Sequence, residues 1–170
     1  MSSDFGLRMY KKVQSLKNPT KEDKSGLKLK FVTYRWNTTK TTIELRIPEG
    51  FKEEKTLKAS TSNSINFSQD QDKVHMNFKI ETESYFKKYI KDQLAGEMIQ
   101  PLKYDNTNKD KNTEVVTYRT ISAIMNIYNF ICFKKISKAD IFGILTCPNS
   151  DSDDWIPVFE EVVSSIKAVS

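Results

Sequence analysis

The most constraining feature of this sequence is its last segment. Trp155, Val158, Phe159, Val162, Val163, Ile166 and Val169 recur at offsets of 0, 3, 4, 7, 8, 11 and 14. At 3.6 residues per turn these positions gather on one side of a helix. Asp153 and Asp154 fall in its first turn, where the helix dipole favours acids, and Pro157 is tolerated that early. A helix apolar along one side has to lie against something broad and apolar, and the rest of the chain supplies it.

That partner is a sheet. From Leu27 to Trp36, and again over Thr41–Pro48, apolar and polar residues alternate, with Ile43, Leu45 and Ile47 on one side and Glu44 and Arg46 on the other. Pro48 and Glu49-Gly50 end the second strand, and Phe51 offers one large anchor. Leu57–Ser68 is polar but compatible with a strand. Lys73–Ile80 alternates strongly, with Val74, Met76, Phe78 and Ile80 opposed to His75, Asn77 and Lys79. The period then lengthens. Thr82 caps a helix whose stripe is Phe86, Ile90 and Leu94, with Tyr85 and Tyr89 beside it, and Gly96 stops it. Lys103–Glu114 reads as an exposed loop, Val115–Ile121, Ala123–Phe133 and Ala139–Cys147 as strands, and Gly143 inside the last as a bulge or a close backbone approach. The expected fold is α+β: a mostly antiparallel six- to seven-stranded sheet with a central helix and a C-terminal helix packed on it.

Residues 1–27 differ in character. Met9, Val13 and Leu16 permit a short amphipathic helix, Asn18-Pro19 stops it, and a charged linker follows. The division expected is therefore a basic arm over 1–27 and one α+β domain over 28–170. Residues 1–30 hold eight basic and three acidic side chains, which is the whole of the net charge of +5. The basic residues are 23 Lys and 4 Arg, and Arg is the better reader of phosphate and base edges. An apolar fraction of 38% is too high for a disordered chain, and no apolar run is long enough to cross a membrane as a helix. The opening MSSDFGLRMYKKVQ lacks the apolar core of a secretory signal. A cytoplasmic location, or a mature form trimmed of its leader, is expected, and the sequons at Asn37 and Asn66 matter only in the second case.

Chemistry is hard to find. His75, the one histidine, lies mid-strand, and no compact CxxC or HExxH spacing accompanies it. Cys132 and Cys147 fall on consecutive strands. With a turn near Lys135–Lys138 the residue opposite Cys132 is Ile141, so the cysteines stand about 20 Å apart and stay free. Asn149, Asp151 and Asp153 have calcium-loop spacing, but Asp154 stands where that loop needs Gly, and capping explains the acids. The acids also form a surface for a basic segment, including this chain's own residues 8–30. Phosphate-binding glycine patterns are missing. No catalytic residue, metal or cofactor is therefore expected.

The order of elements resembles a known family. The segment TTIELRIPEGF over 41–51, the helix in TESYFKKYIKDQL, and the ending DDWIPVFEEVVSSIK are similar to the domain shared by PsbP-type photosystem subunits, the DcrB-like bacterial proteins and a Ran-binding import factor. The resemblance spans about residues 28–169. It implies a binding, accessory or chaperone module without a shared catalytic site. In its small cytoplasmic branch, secretion-effector chaperones hold apolar client segments on the sheet. The basic leader and the longer 103–114 loop depart from that branch.

The function expected is a non-enzymatic protein-binding module, such as a secretion-associated chaperone or an immunity-like protein, with a protein partner or a second copy bound through Tyr34, Trp36, Phe51, Tyr118, Tyr128 and Phe130. One alternative is single-stranded nucleic-acid binding through Arg8, Lys11, Lys12, Lys17, Lys28 and Lys30 with aromatic stacking nearby. The other is an enzyme built on His75 or on Asp153 and Asp154.

Overall fold

Alternation becomes pairing in the computed structural model, which describes residues 30–54, 61–69, 73–105 and 110–169. Strands β1 (Phe31–Asn37) and β2 (Thr42–Pro48) form an antiparallel hairpin in which Phe31 faces Pro48 and Trp36 faces Ile43. Thr38 builds the turn. Its hydroxyl donates to the Thr41 carbonyl at 2.6 Å and accepts from the Thr41 amide at 3.0 Å. Strands β3 (Lys52–Glu53), β4 (Ser64–Gln69), β5 (Val74–Ile80), β6 (Ile99–Leu102), β7 (Thr113–Ile121), β8 (Asn126–Ile136) and β9 (Ala139–Pro148) make a second sheet. Its order is β3-β4-β5-β9-β8-β7-β6, antiparallel throughout.

Helix α1 (Glu83–Leu94) begins as its sequence requires: the Thr82 hydroxyl accepts from the Tyr85 amide at 3.2 Å, with Glu83 in the first turn. Phe86 stacks on Phe133 at 5.3 Å, over one face of the large sheet. Leu94 lies outside this contact and is exposed, so the apolar stripe stops short of the end expected for it. Helix α2 (Ser152–Ser165) follows a single 3-10 turn, Asn149–Asp151, and presses Trp155, Val158, Phe159, Val162 and Val163 onto the opposite face. The architecture is thus α+β, with a mostly antiparallel seven-stranded sheet and two helices packed on it.

Four local expectations need correction. The first two strands do not join the large sheet. They form a separate three-stranded sheet, order β1-β2-β10, whose third member is the C-terminal strand β10 (Lys167–Val169). The helix therefore ends before Ile166 and Val169, although both keep helical spacing. Ser165 turns its hydroxyl to accept from the Arg46 amide at 2.8 Å, Ile166 is extended, and Lys167 takes up pairing opposite Glu44. The open edge of β2 offers backbone partners that another helical turn would forgo.

The hairpin β8–β9 turns at Ser137-Lys138, so Cys132 faces Gly143 rather than Ile141, and Cys147 faces Tyr128. The cysteines remain far apart and free. Gly143 itself is neither a bulge nor a backbone approach, because the ladders to β5 and β8 run through it unbroken. A Cβ there would stand 2.6 Å from Cys132 Sγ and 3.0 Å from the Phe78 ring. The glycine makes room for two side chains on neighbouring strands.

Lys134 closes the core at the far end of α2. Buried on β8, its ammonium donates to the Val163 carbonyl at 2.8 Å and the Ser164 carbonyl at 3.3 Å. A cation there bonds the Ser164 carbonyl, adds to the Ile166 amide on the Val163 carbonyl, and meets the negative end of the helix dipole.

Two stability predictions follow from these contacts. Gly143→Ala should cost about 1–3 kcal/mol in urea unfolding, and Cys132→Ala in the same chain should recover part of the loss by vacating the Sγ position. Lys134→Met should also cost about 1–3 kcal/mol, because the charge-assisted bonds to the Val163 and Ser164 carbonyls are lost.

Candidate protein-binding surface

The aromatic residues first assigned to partner binding lie mostly in the core. Trp36, Phe51, Tyr118, Tyr128 and Phe130 are buried, and Tyr34 is half-buried with its ring 4.9 Å from Phe67. Phe51 meets Trp155 edge-on at 5.7 Å, and Phe130 meets Phe159 at 5.8 Å. Trp36 turns inward and donates its Nε1 proton to the Ser62 carbonyl at 2.6 Å. Tyr118 lies on the face that α1 covers, with its hydroxyl 3.5 Å from Gln93 Oε1. Two helices and the small sheet require this much aromatic surface for packing, and none of it is left as a stacking platform.

The nucleic-acid alternative loses its platform for the same reason. Arg35, between Tyr34 and Trp36, pairs with Glu44 at 3.2 Å. Lys30 is exposed ahead of β1, whereas Arg8, Lys11, Lys12, Lys17 and Lys28 lie outside the described residues.

His75 is exposed on β5, between Ser68 and Thr146 in register. It projects from the face opposite Val74 and Met76, so it cannot meet Cys132 or Cys147, which are buried with those residues in the core beneath α2. Among the described residues no three His, Cys, Asp or Glu side chains are grouped to hold a metal. The calcium-loop spacing is taken up by the 3-10 turn and the start of α2, which carry these acids along a helix instead of around an ion. Asp151 is buried and makes no side-chain capping bond, contrary to the capping role expected of these acids, whereas Asp153 and Asp154 do sit in the first turn.

What the surface does present is a single apolar tip. Among the described residues six large hydrophobic side chains are exposed, and four of them, Met98, Ile121, Ile124 and Met125, lie at one end of the large sheet, with a fifth, Leu94, at the end of α1. The sixth is Val32, on β1. The β7–β8 turn holds the tip in shape. Ser122 Oγ accepts from the Met125 amide at 2.8 Å, and the Ser122 amide donates to the Met125 carbonyl at 2.7 Å. The Ile121 amide donates to the Met98 carbonyl at 2.8 Å, which ties the end of α1 and the start of β6 to the same place. Ile124 is 94% exposed and Met125 50%. A hairpin turn ordinarily carries polar residues and Gly. In the sequence, Ile124 and Met125 belong to a run read as strand from Ala123. The signal missed was that a turn had to fall near Ser122, which puts two large apolar side chains on it.

No protein-family model matches this sequence, and no curated protein is similar to it by sequence. Solved structures are similar in shape. The Ran-binding protein Mog1p of Saccharomyces cerevisiae superposes with a TM-score of 0.58 at 8% identity, covering 83% of this chain and 97% of that one. Cyanobacterial PsbP (CyanoP) from Synechocystis sp. PCC 6803 gives 0.54 at 14% identity, covering 81% and 92%. This is the PsbP/Mog1p-like fold. At these identities the likeness concerns the fold alone, and a fold does not fix a function.

The two thiols supply a check on the core. Complete burial pushes the Cys132 thiol up to about 12, and burial raises that of Cys147 as well, with Asp151 and Asp154 adding to the rise. Both should resist a maleimide in the native protein and both should react in denaturant. Unfolded thiols ionise near their ordinary value of 9.0, whereas Cys132 in the fold waits until about 12. Stability from this source is therefore full below pH 9.0 and is lost as pH rises toward 12, so the urea midpoint should fall across that window.

Proposed function

We propose that this chain is a non-enzymatic accessory protein that grips a protein partner through the apolar tip formed by Met98, Ile121, Ile124 and Met125. The tip is the observation that carries this reading. Among the described residues the other large apolar side chains are at least partly buried, Val32 and Leu94 excepted, so stability gives no reason to hold Ile124 in water. Methionine at such a surface adapts to irregular partners. The PsbP/Mog1p-like fold supports the same class of role, since one of its members is described as a Ran-binding protein.

The secretion-chaperone version of this role needs a change of site. Holding an apolar client on the sheet requires an open apolar face. Here α2 and the small sheet lie on one face, and α1 lies on the other over Phe133 and Phe142. Beyond α1 that second face presents Asn66, His75, Asn77 and Thr146, which are polar. A client would meet the tip instead. A cytoplasmic location belongs to the same proposal, because two buried unpaired thiols suit a reducing compartment. Among the described residues no helix is long and apolar enough to cross a membrane.

Ile124→Asp tests the reading. Because Ile124 is almost wholly exposed, the melting temperature should stay within a degree or two of the parent, since surface changes are worth about 0.5 kcal/mol or less. A partner captured from the native host by the parent protein should be lost, with affinity down by roughly 30-fold or more, as for a residue worth about 2 kcal/mol at an interface. Retention of the same partner by Ile124→Asp would show that the tip is not the contact.

A further inference from the structure

Among the described residues, Val32 is the exposed large apolar side chain that lies away from both the tip and α1. It stands in the inward row of β1 with Tyr34 and Trp36, opposite the buried Ile47, yet 43% of it meets solvent. Its place at the rim explains this. β1 is an outer strand of the small sheet, and among the described residues only β2 pairs with it.

The ladder tells which backbone groups of β1 remain free. The Lys30 carbonyl accepts from the Glu49 amide at 2.9 Å, and the Thr38 amide donates to the Thr41 carbonyl at 3.0 Å. Bonded and non-bonded pairs alternate in an antiparallel ladder. Val32, Tyr34 and Trp36 therefore bond to β2, whereas Phe31, Thr33, Arg35 and Asn37 direct their amides and carbonyls outward. Two contacts agree. Phe31 faces Pro48, which has no N–H to give it, and the outward Asn37 carbonyl accepts from the Ser62 amide at 2.9 Å. The stretch Phe31–Arg35 is left open. Other edges are guarded: the same alternation turns Pro101 outward on β6, and β3 and β10 are only 2 and 3 residues long. An open strand edge without proline is a template for another strand.

Charge beside this edge selects the occupant. Thr33 and Arg35 put their side chains on the outer face, next to Arg46 and Glu44 of β2 and Lys167 of β10. Glu44 already pairs with Arg35 at 3.2 Å and with Lys167 at 3.6 Å, and both cations are 69% exposed. Arg46 lies over the Phe31 ring at 5.1 Å, and among the described residues no carboxylate pairs with it. Glu161 of α2 is the other acid lining the cleft beside them, so cations still exceed acids. Antiparallel pairing of two β1 edges would join two faces of the same positive sign, which disfavours a second copy.

We propose that the edge Phe31–Arg35 receives an extended segment of a protein partner as a further strand of the small sheet, a segment that alternates acidic and apolar residues. Its backbone pairs with Phe31, Thr33 and Arg35, its acids lie toward Arg35 and Arg46, and its apolar side chains cover Val32. The contact is separate from the apolar tip, and either holds without the other.

The probe is the capped peptide Glu-Val-Glu-Val-Glu-Val-Glu, added to the full chain. At saturation the Phe31, Thr33 and Arg35 amides should exchange with solvent about tenfold more slowly, as newly bonded amides do. Arg35→Glu should weaken binding about tenfold. Salt at about 0.5 M should weaken it too, since the screening length falls to roughly 4 Å. Thr33→Pro removes an N–H that β2 does not use, so the melting temperature should hold while the peptide no longer binds. Arg35→Glu decides the matter should Thr33→Pro fail to fold. Ile124→Asp should leave binding unchanged, whereas loss of binding in that variant would place the peptide on the tip and overturn the proposal. Three further results would overturn it: no protection of the three amides at millimolar peptide, equal binding of the peptide with Lys in place of Glu, or concentration-dependent protection without peptide, which assigns the edge to a second copy.

Discussion

Everything else in this protein is arranged around burying the apolar side of α2. Trp155, Val158, Phe159 and Val162 are fully buried, in one cluster with Ile43, Leu45 and Ile47 of β2 and with Phe67, Met76 and Phe78 of the large sheet. At about 1.5–3 kcal/mol for each large apolar side chain removed from water, burial of this helix joins two sheets that share no strand. Its C-terminal end is bound to both of them. Lys134 of β8 reaches its last carbonyls, and β10 carries the chain from its C-terminus onto β2. Glu44 then pairs with both Arg35 and Lys167, so one carboxylate links all three strands of the small sheet.

This arrangement limits where binding can occur. Sheet faces that look like recognition surfaces in the sequence are spent on packing, because two helices and a small sheet all need aromatic and branched partners. Gly143 shows how tightly that space is used: a single methyl group would collide with Cys132 and Phe78. Surface left for partners lies at the ends and edges of sheets and on loops, where the backbone is held firmly but the side chains are free. The apolar tip at Ile124 is at a strand end, and the open side of β1 is a sheet edge.

Likeness of shape to Mog1p and to cyanobacterial PsbP extends over more than four-fifths of this chain at 8% and 14% identity. So little shared sequence over so much shared structure means that the fold is maintained by pattern rather than by particular residues. Alternation along strands and a one-sided closing helix suffice. Residues that engage partners are under no such common constraint, and the tip of β7–β8 is the kind of place where members of one fold diverge.

Much of the fold was legible because it is local. Period-2 and period-3.6 patterns fix which side of a strand or helix faces inward, whatever it packs on. Thus Val74, Met76 and Phe78 were separable from His75 and Asn77, and the start of α1 was readable at Thr82. What the sequence could not decide was competition between distant segments. Ile166 and Val169 keep helical phase, yet the free edge of β2 draws that stretch into a strand more than a hundred residues from its partner. Tyr118, Tyr128 and Phe130 carry the same residue types whether they face a partner or a helix, and only the placement of α1 and α2 assigns them to the core. Likewise Ile124 looks like any strand residue until the register of β7 on β8 leaves it at the turn. Local periodicity determined the elements and their inner faces. Long-range pairing, set by which edges and faces remained open, decided which side chains water would see.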